Sequence, residues 1–203
     1  QLFNIVLELC ITWINRLLFL KLLEGQILKY QQEEKSFQFM NIDRLADFDE
    51  VNRLFFQVLA RDYPYRGEEE LKDFPNVPYL NSSLFEVTDL EHKMIRINSL
   101  SQKLKLTLSK HSVLKKSTKY KNVDKLPILE YLLAFLNAYN FASEGSEEIL
   151  QEPKTLISAS VLGLIFEKIN GHKDGAVFTP VKITMYMTHE AVEATIVQKF
   201  KEH

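Results

Sequence analysis

Apolar residues in the first stretch of the chain recur at three- and four-residue steps: Leu9, Trp13, Leu17 and Leu20, with Glu24 on the same line. That period predicts one long helix over residues 1–34. Apolar side chains surround much of it, so it is expected to lie buried between other elements rather than on a surface. The pattern fades at Gln31-Gln32-Glu33-Glu34-Lys35-Ser36. A second helix is predicted to begin near Asp47 or Asp49, since either carboxylate can accept from the free amides of a first turn. Val51, Leu54, Phe55, Val58 and Leu59 give it one apolar face, and Pro64 and Gly67 end it. Glu68–Asp73 reads as a short acidic turn of helix. Pro75 and Pro78 then hold residues 74–81 in extended or turned backbone, because each proline pushes its predecessor out of the helical region.

Between residues 93 and 108 the period drops to two. Met94, Ile95 and Ile97, then Leu104, Leu106 and Leu108, alternate with polar residues and predict a β hairpin turning at residues 99–102. Helical patterning returns at residues 126–141, with Pro127 in the first turn, where its missing amide costs nothing. An acidic loop follows at 144–152. Ser158 then introduces a helix through Asn170, closed by Gly171. A last helix starts at Thr179-Pro180 and runs to the end.

The six glycines and six prolines leave few breakers, which favours long helices. A chain of 203 residues suits one domain, or one domain and the start of another. Its abrupt beginning and end, without capping residues, suggest a piece of a longer protein. Glu8, Arg16, Lys21 and Glu24 interrupt the first apolar stretch well short of the ~18 uncharged residues a membrane-spanning helix needs, so no membrane partner is expected. Cys10 is the only cysteine, which excludes an internal disulfide and a cysteine-based zinc site and fits a cytoplasmic protein. With a formal net charge of -2, the chain as a whole is no basic glove for nucleic acid, and any DNA contact must come from a local patch.

Catalytic machinery is hard to find. No Gly-rich phosphate cradle is present, and none of the five histidines is expected to have a partner at helical metal-ligand spacing. His172 with Asp174 reads as solvated surface. Asp62 with Glu70-Leu71-Lys72 has the residue types of a metal-dependent nuclease, but the glutamates read as a helical first turn, where acids suit the dipole. No catalytic residue and no metal site is assigned. The one strong charge bias is the run of lysines at 110, 115, 116, 119, 121 and 125, opposed by a single acid, Asp124. Lys115, Lys116, Lys119 and Lys121, with Tyr120 among them, are candidates to lie along a DNA backbone. The same residues also describe a flexible, solvated loop, and composition favours that plainer reading. At Gly175-Ala176-Val177-Phe178-Thr179-Pro180, Thr179 and Pro180 suit a helix start, whose free amides could equally face an anionic ligand.

Several segments, in order, resemble one family. Asn15-Arg16-Leu17-Leu18-Phe19-Leu20-Lys21-Leu22-Leu23-Glu24, Val77-Pro78-Tyr79-Leu80-Asn81-Ser82-Ser83-Leu84-Phe85-Glu86 and Leu133-Ala134-Phe135-Leu136-Asn137-Ala138-Tyr139-Asn140-Phe141 are similar to the region that precedes the methyltransferase in type IIG restriction-modification enzymes. Leu162-Gly163-Leu164-Ile165-Phe166-Glu167-Lys168-Ile169, followed by residues 171–180, resembles a run shared by those enzymes and type I modification subunits. Ser82-Ser83 stand where glycines are usual, and Val177-Phe178 where Phe-Tyr is frequent.

The resemblance implies a mainly α, multi-helix connector over residues 1–170, with the short β hairpin near 93–108. Residues 171–203 would then be the first helix of a truncated Rossmann-like methyltransferase domain. Phe178, Thr179 and Pro180 fall on the motif X turn, which in that family touches S-adenosylmethionine. The Asn/Asp-Pro-Pro-Tyr/Phe catalytic motif would lie beyond this segment. The implied parent is a bacterial type II enzyme that methylates adenine in double-stranded DNA and cleaves unmodified DNA, flipping the target base to reach it. This segment would link its nuclease and methyltransferase domains and brace the cofactor cleft. The alternative is a non-catalytic helical assembly module of a modification subunit.

Overall fold

A computed structural model describes residues 2–141, 155–157, 159–170, 179 and 181–201. The chain is mainly α-helical with a short antiparallel strand pair, and it divides into two compact units, residues 1–162 and 163–203.

Helix α1 (Leu2–Tyr30) carries the predicted stripe, with Leu9, Trp13, Leu17, Leu20 and Glu24 all buried. Gly25 sits where α1 meets the backbone of Phe141, and a Cβ there would lie 1.9 Å from the Phe141 carbonyl oxygen. Only glycine permits that approach. Asp47 caps α2 (Phe48–Arg53), its carboxylate accepting from the Glu50 amide at 2.9 Å. The helix continues in the wider π form over Leu54–Leu59, and Val51, Leu54, Phe55, Val58 and Leu59 are fully buried. The acidic first turn of α3 (Glu68–Asp73) is present as the sequence implied. Among the described residues no helix is long and apolar enough to cross a membrane.

Two buried polar clusters fix α1 to the rest of its unit. In the first, the Arg16 guanidinium donates to the carbonyls of Leu84 (2.6 Å) and Glu86 (2.8 Å) and to both oxygens of Glu91 (2.6 and 3.0 Å). Glu91 also accepts from the Trp13 indole at 2.8 Å and from the Thr88 amide at 2.9 Å. It completes the capping box of α4 (Asp89–Lys93). Burial pushes its carboxyl upward. The donors from Arg16, Thr88 and Trp13 outweigh that and hold it at about 2. In the second cluster Lys21 pairs with Glu24, which accepts from the amides of Phe39 and Met40 at 2.7 and 2.6 Å. Lys21 also donates to Asn137 at 2.6 Å, and Asn137 in turn donates to the Met40 carbonyl at 2.9 Å. The three segments before residue 142 that carried the resemblance therefore meet through these two clusters.

The strand pair corrects the hairpin expected near 93–108. Strand β1 (Lys105–Thr107) falls where one arm was predicted, but its antiparallel partner is β2 (Lys125–Pro127), with Leu106 opposite Leu126. Residues 94–97 are not a strand. The capping box at Thr88 starts a helix that reaches Lys93, and Met94 and Ile95 are exposed where it ends. Ile97 is buried at the start of a 3-10 turn, Ile97–Ser99. One buried anchor beside two exposed apolar residues had mimicked alternation.

Helix α5 (Ile128–Asn137) is shorter than the 126–141 expected: Leu126 and Pro127 belong to β2, and Pro127, in extended backbone, stands just before the helix and not in its first turn. Strand β3 (Tyr139–Asn140) pairs in parallel with β4 (Thr155–Leu156). The acidic loop at 144–152, Ser158, Gly171, His172 and Asp174 lie outside the described residues. Helix α6 (Ala159–Asn170) spans the boundary between the units, and α7 (Val181–Lys201) makes up most of the second.

Candidate nucleic-acid interface

Residues 108–124 leave β1 and return to β2 as a folded lobe, not as the flexible loop that composition favoured. Leu108, Leu114, Tyr120 and Leu126 form its buried cluster, with Tyr131, Ala134 and Ala138 of the α5 region packed against it. Ser112 caps a 3-10 turn, Val113–Lys116, its hydroxyl accepting from the Leu114 amide. One turn later the amides of Tyr120 and Lys121 both bond the Ser117 carbonyl, at 3.2 and 2.9 Å. The Leu108 amide bonds the Asp124 carbonyl at 2.8 Å and closes the neck.

That packing sorts the four candidate lysines. Lys115 turns inward: its ammonium donates to the Val123 carbonyl at 2.7 Å and lies 3.5 Å from Asp124. Lys119 lies 3.6 Å from Glu130 and 5.0 Å from the centre of the Tyr120 ring. Hydrogen bonding to Tyr120 is the main cause that raises its pKa, with Glu130 adding to it. Lys116 and Lys121 are exposed and have no ion-pair partner among the described residues. Lys103, Lys105, Lys110 and Lys125 are also exposed. Asp124 is the only acid between residues 103 and 125, so the exposed surface of this segment carries a net positive charge. A positive surface of this kind suits phosphates of a nucleic-acid backbone.

The candidate cofactor residues are less visible. Phe178 and Pro180 lie outside the described residues, and Thr179 is exposed, two residues before α7 begins. Along α7 large apolar side chains, Ile183, Met185, Tyr186, Met187, Ile196 and Phe200 among them, are exposed. The nuclease-like acids do not converge. Asp62 accepts from the Tyr63 amide to cap a short turn, and Glu70 faces Arg53 at 4.0 Å. One grouping corrects the expectation that no histidine has a partner at helical metal-ligand spacing. His189, Glu190 and Glu193 on α7 offer ligand atoms within 4.8 Å of one another, all exposed, and His189 pairs with Glu193 at 3.8 Å.

The model of a domain of unknown function, DUF7814, matches residues 1–157. A curated Methanocaldococcus jannaschii protein, provisionally named a type II restriction enzyme and methyltransferase, is 28% identical over 209 residues, which covers 93% of this chain. The chain spans 15% of that relative's length. No solved structure matches.

Proposed function

This chain belongs to the family of DUF7814 domains, and we propose that it is the connector region of a restriction-modification enzyme. In this reading residues 1–170 link a nuclease domain to a methyltransferase domain and steady its cofactor cleft, and residues 171–203 begin the methyltransferase. The parent protein transfers a methyl group from S-adenosylmethionine to adenine in double-stranded DNA and cleaves DNA that lacks the mark. Phe178, Thr179 and Pro180 contact the cofactor. The outer face of the lobe, through Lys116 and Lys121 above all, follows the DNA backbone. Lys115 and Lys119 hold the lobe together and contribute to its field.

One observation carries the proposal: the similarity to a protein named as a type II restriction enzyme and methyltransferase extends over nearly the whole of this chain. The structure adds a physical rationale. Two buried polar clusters tie α1, residues 84–91 and α5 into one unit, the rigidity that a bracing element needs. The test is methyl transfer from tritiated S-adenosylmethionine to duplex DNA. The full-length protein is expected to label adenine. The 203-residue chain alone is expected to label nothing, since no catalytic motif lies in it. A full-length protein that neither binds the cofactor nor labels DNA would exclude this function.

A further inference from the structure

Beside the exposed lysines, with Lys116 common to both, the lobe and α5 line an open cleft of about 640 Å³. Small-molecule sites typically measure roughly 300–1,000 Å³ and pair an apolar lining with a few placed polar groups. The floor here is apolar, formed by the half-buried Ile42, Val113, Ala134 and Ala138 over the buried Leu114 and Leu133. Polar groups occupy another wall, where Lys116, Ser117, Thr118 and Lys119 follow one another along the chain. Among the described residues the Lys116 ammonium and the Ser117 and Thr118 hydroxyls make no hydrogen bond. The other polar groups are already occupied. Glu130 accepts from the Tyr120 hydroxyl at 3.3 Å and lies 3.6 Å from Lys119. Asn137 serves Lys21 and Met40, while the Asn41 carboxamide bonds the Gln38 carbonyl and the amides of Asp43 and Arg44.

What stays free is therefore an apolar floor, one unopposed ammonium and two hydroxyls. That set complements a ligand with a flat, weakly polar body and an anionic end. We infer that the cleft takes a nucleoside monophosphate unit, its base against Val113, Ala134 and Ala138 and its phosphate at Lys116, Ser117 and Thr118. The choice of a nucleotide over other ring-bearing anions rests on reading the lobe as a nucleic-acid surface. Such a unit can arrive as a free nucleotide or as part of a single strand. A bare backbone phosphate would need the wall but not the floor.

The test titrates the 203-residue chain with AMP, with a single-stranded oligo-dA and with inorganic phosphate, read by amide chemical shifts. The nucleotide-bearing ligands are expected to shift Leu114, Thr118 and Ala134 in a saturable way. Inorganic phosphate is expected to bind roughly tenfold more weakly and to reach only residues 116–118. Tighter binding of AMP assigns a free nucleotide, and tighter binding of oligo-dA assigns a strand. Ala134→Phe, which fills the floor, should weaken both by at least about tenfold while duplex DNA still binds the outer lysines. Thr118→Val, at an exposed position that should leave folding intact, should weaken both severalfold. The inference fails if neither ligand shifts the cleft up to about 1 mM, if phosphate binds as well as AMP, or if both variants bind normally. Failure of the DNA surface reads out separately, as duplex binding that is unchanged in Lys121→Glu.

Discussion

A charge removed from water is tolerated only when its lost hydration is replaced by fixed partners, and at Glu91 those partners come from three directions. Arg16, Trp13 and the Thr88 amide all donate to it, and neither Arg16 nor Glu91 has any exposed side-chain surface. Glu91→Gln would leave the Arg16 guanidinium buried without its counter-charge, so urea unfolding should show a loss of about 3–5 kcal/mol. The pH dependence has a definite sign. The folded carboxyl is lowered from 4.5 to about 2, so its stabilising contribution is complete above the unfolded value and disappears as pH falls through the folded one. Wild type should lose on the order of 3 kcal/mol across that window beyond what Glu91→Gln loses; parallel acid titrations would contradict the assignment. The lysines divide just as sharply. Lys115→Ala removes a charged donor from the Val123 carbonyl and should cost about 1–2 kcal/mol. Lys116→Ala, at an exposed side chain, should stay within about 0.5 kcal/mol of wild type. Equal losses in chemical denaturation would show that the lobe does not hold Lys115 as described.

Among the elements, the lobe departs most from what its composition suggested. It is rich in lysine, yet Leu108, Leu114, Tyr120 and Leu126 recur every six residues and close on one another. Standing six apart, they leave no continuous helical or strand stripe between them, so a scan for either passes over them. Tyr120→Ala should therefore cost about 3 kcal/mol and loosen the whole lobe. In wild type the amides of Leu108 and Lys121, bonded to Asp124 and Ser117, should exchange slowly. Free exchange at both would restore the picture of a solvated loop. Much else was legible because it depends on local rules. The stripe on α1, the Asp47 cap and the acidic turn at α3 each follow from neighbours a few residues apart. The pairing of β1 with β2 was not legible, since it depends on a lobe folding between them. Nor were the roles of Arg16 and Asn137, whose partners lie 68–75 and 97–116 residues away in the chain. Both residues stood inside the segments that suggested the family, which gives those segments a physical meaning: each carries an end of a buried polar bridge.

Over the whole molecule the two proposed contacts fall in different units, Lys116 and Lys121 in the first and Thr179 in the second, so they can be perturbed independently in the full-length protein. Reversing Lys116 and Lys121 to Glu should weaken duplex binding by a similar factor for every DNA sequence, because phosphate contacts position without reading bases. If each lysine neutralises one phosphate, the slope of log K against log salt should fall by roughly 2. Cofactor affinity should not change. Thr179→Ala should do the reverse, leaving DNA affinity intact while costing S-adenosylmethionine binding roughly 0.5–1.5 kcal/mol through one lost hydrogen bond. Thr179→Ser keeps the hydroxyl and should bind cofactor nearly as wild type does. Calorimetric titration of cofactor and salt-dependent DNA binding, run on the same variants, distinguish the outcomes. A charge reversal that spares DNA removes the lobe from the interface, whatever Thr179 does. A Thr179→Ala protein that takes up cofactor normally removes the motif X contact, whatever the lysines do. If each variant loses only its own ligand, the chain meets DNA with one unit and cofactor with the other, and bracing the cleft becomes a question of how stiffly the first unit holds itself.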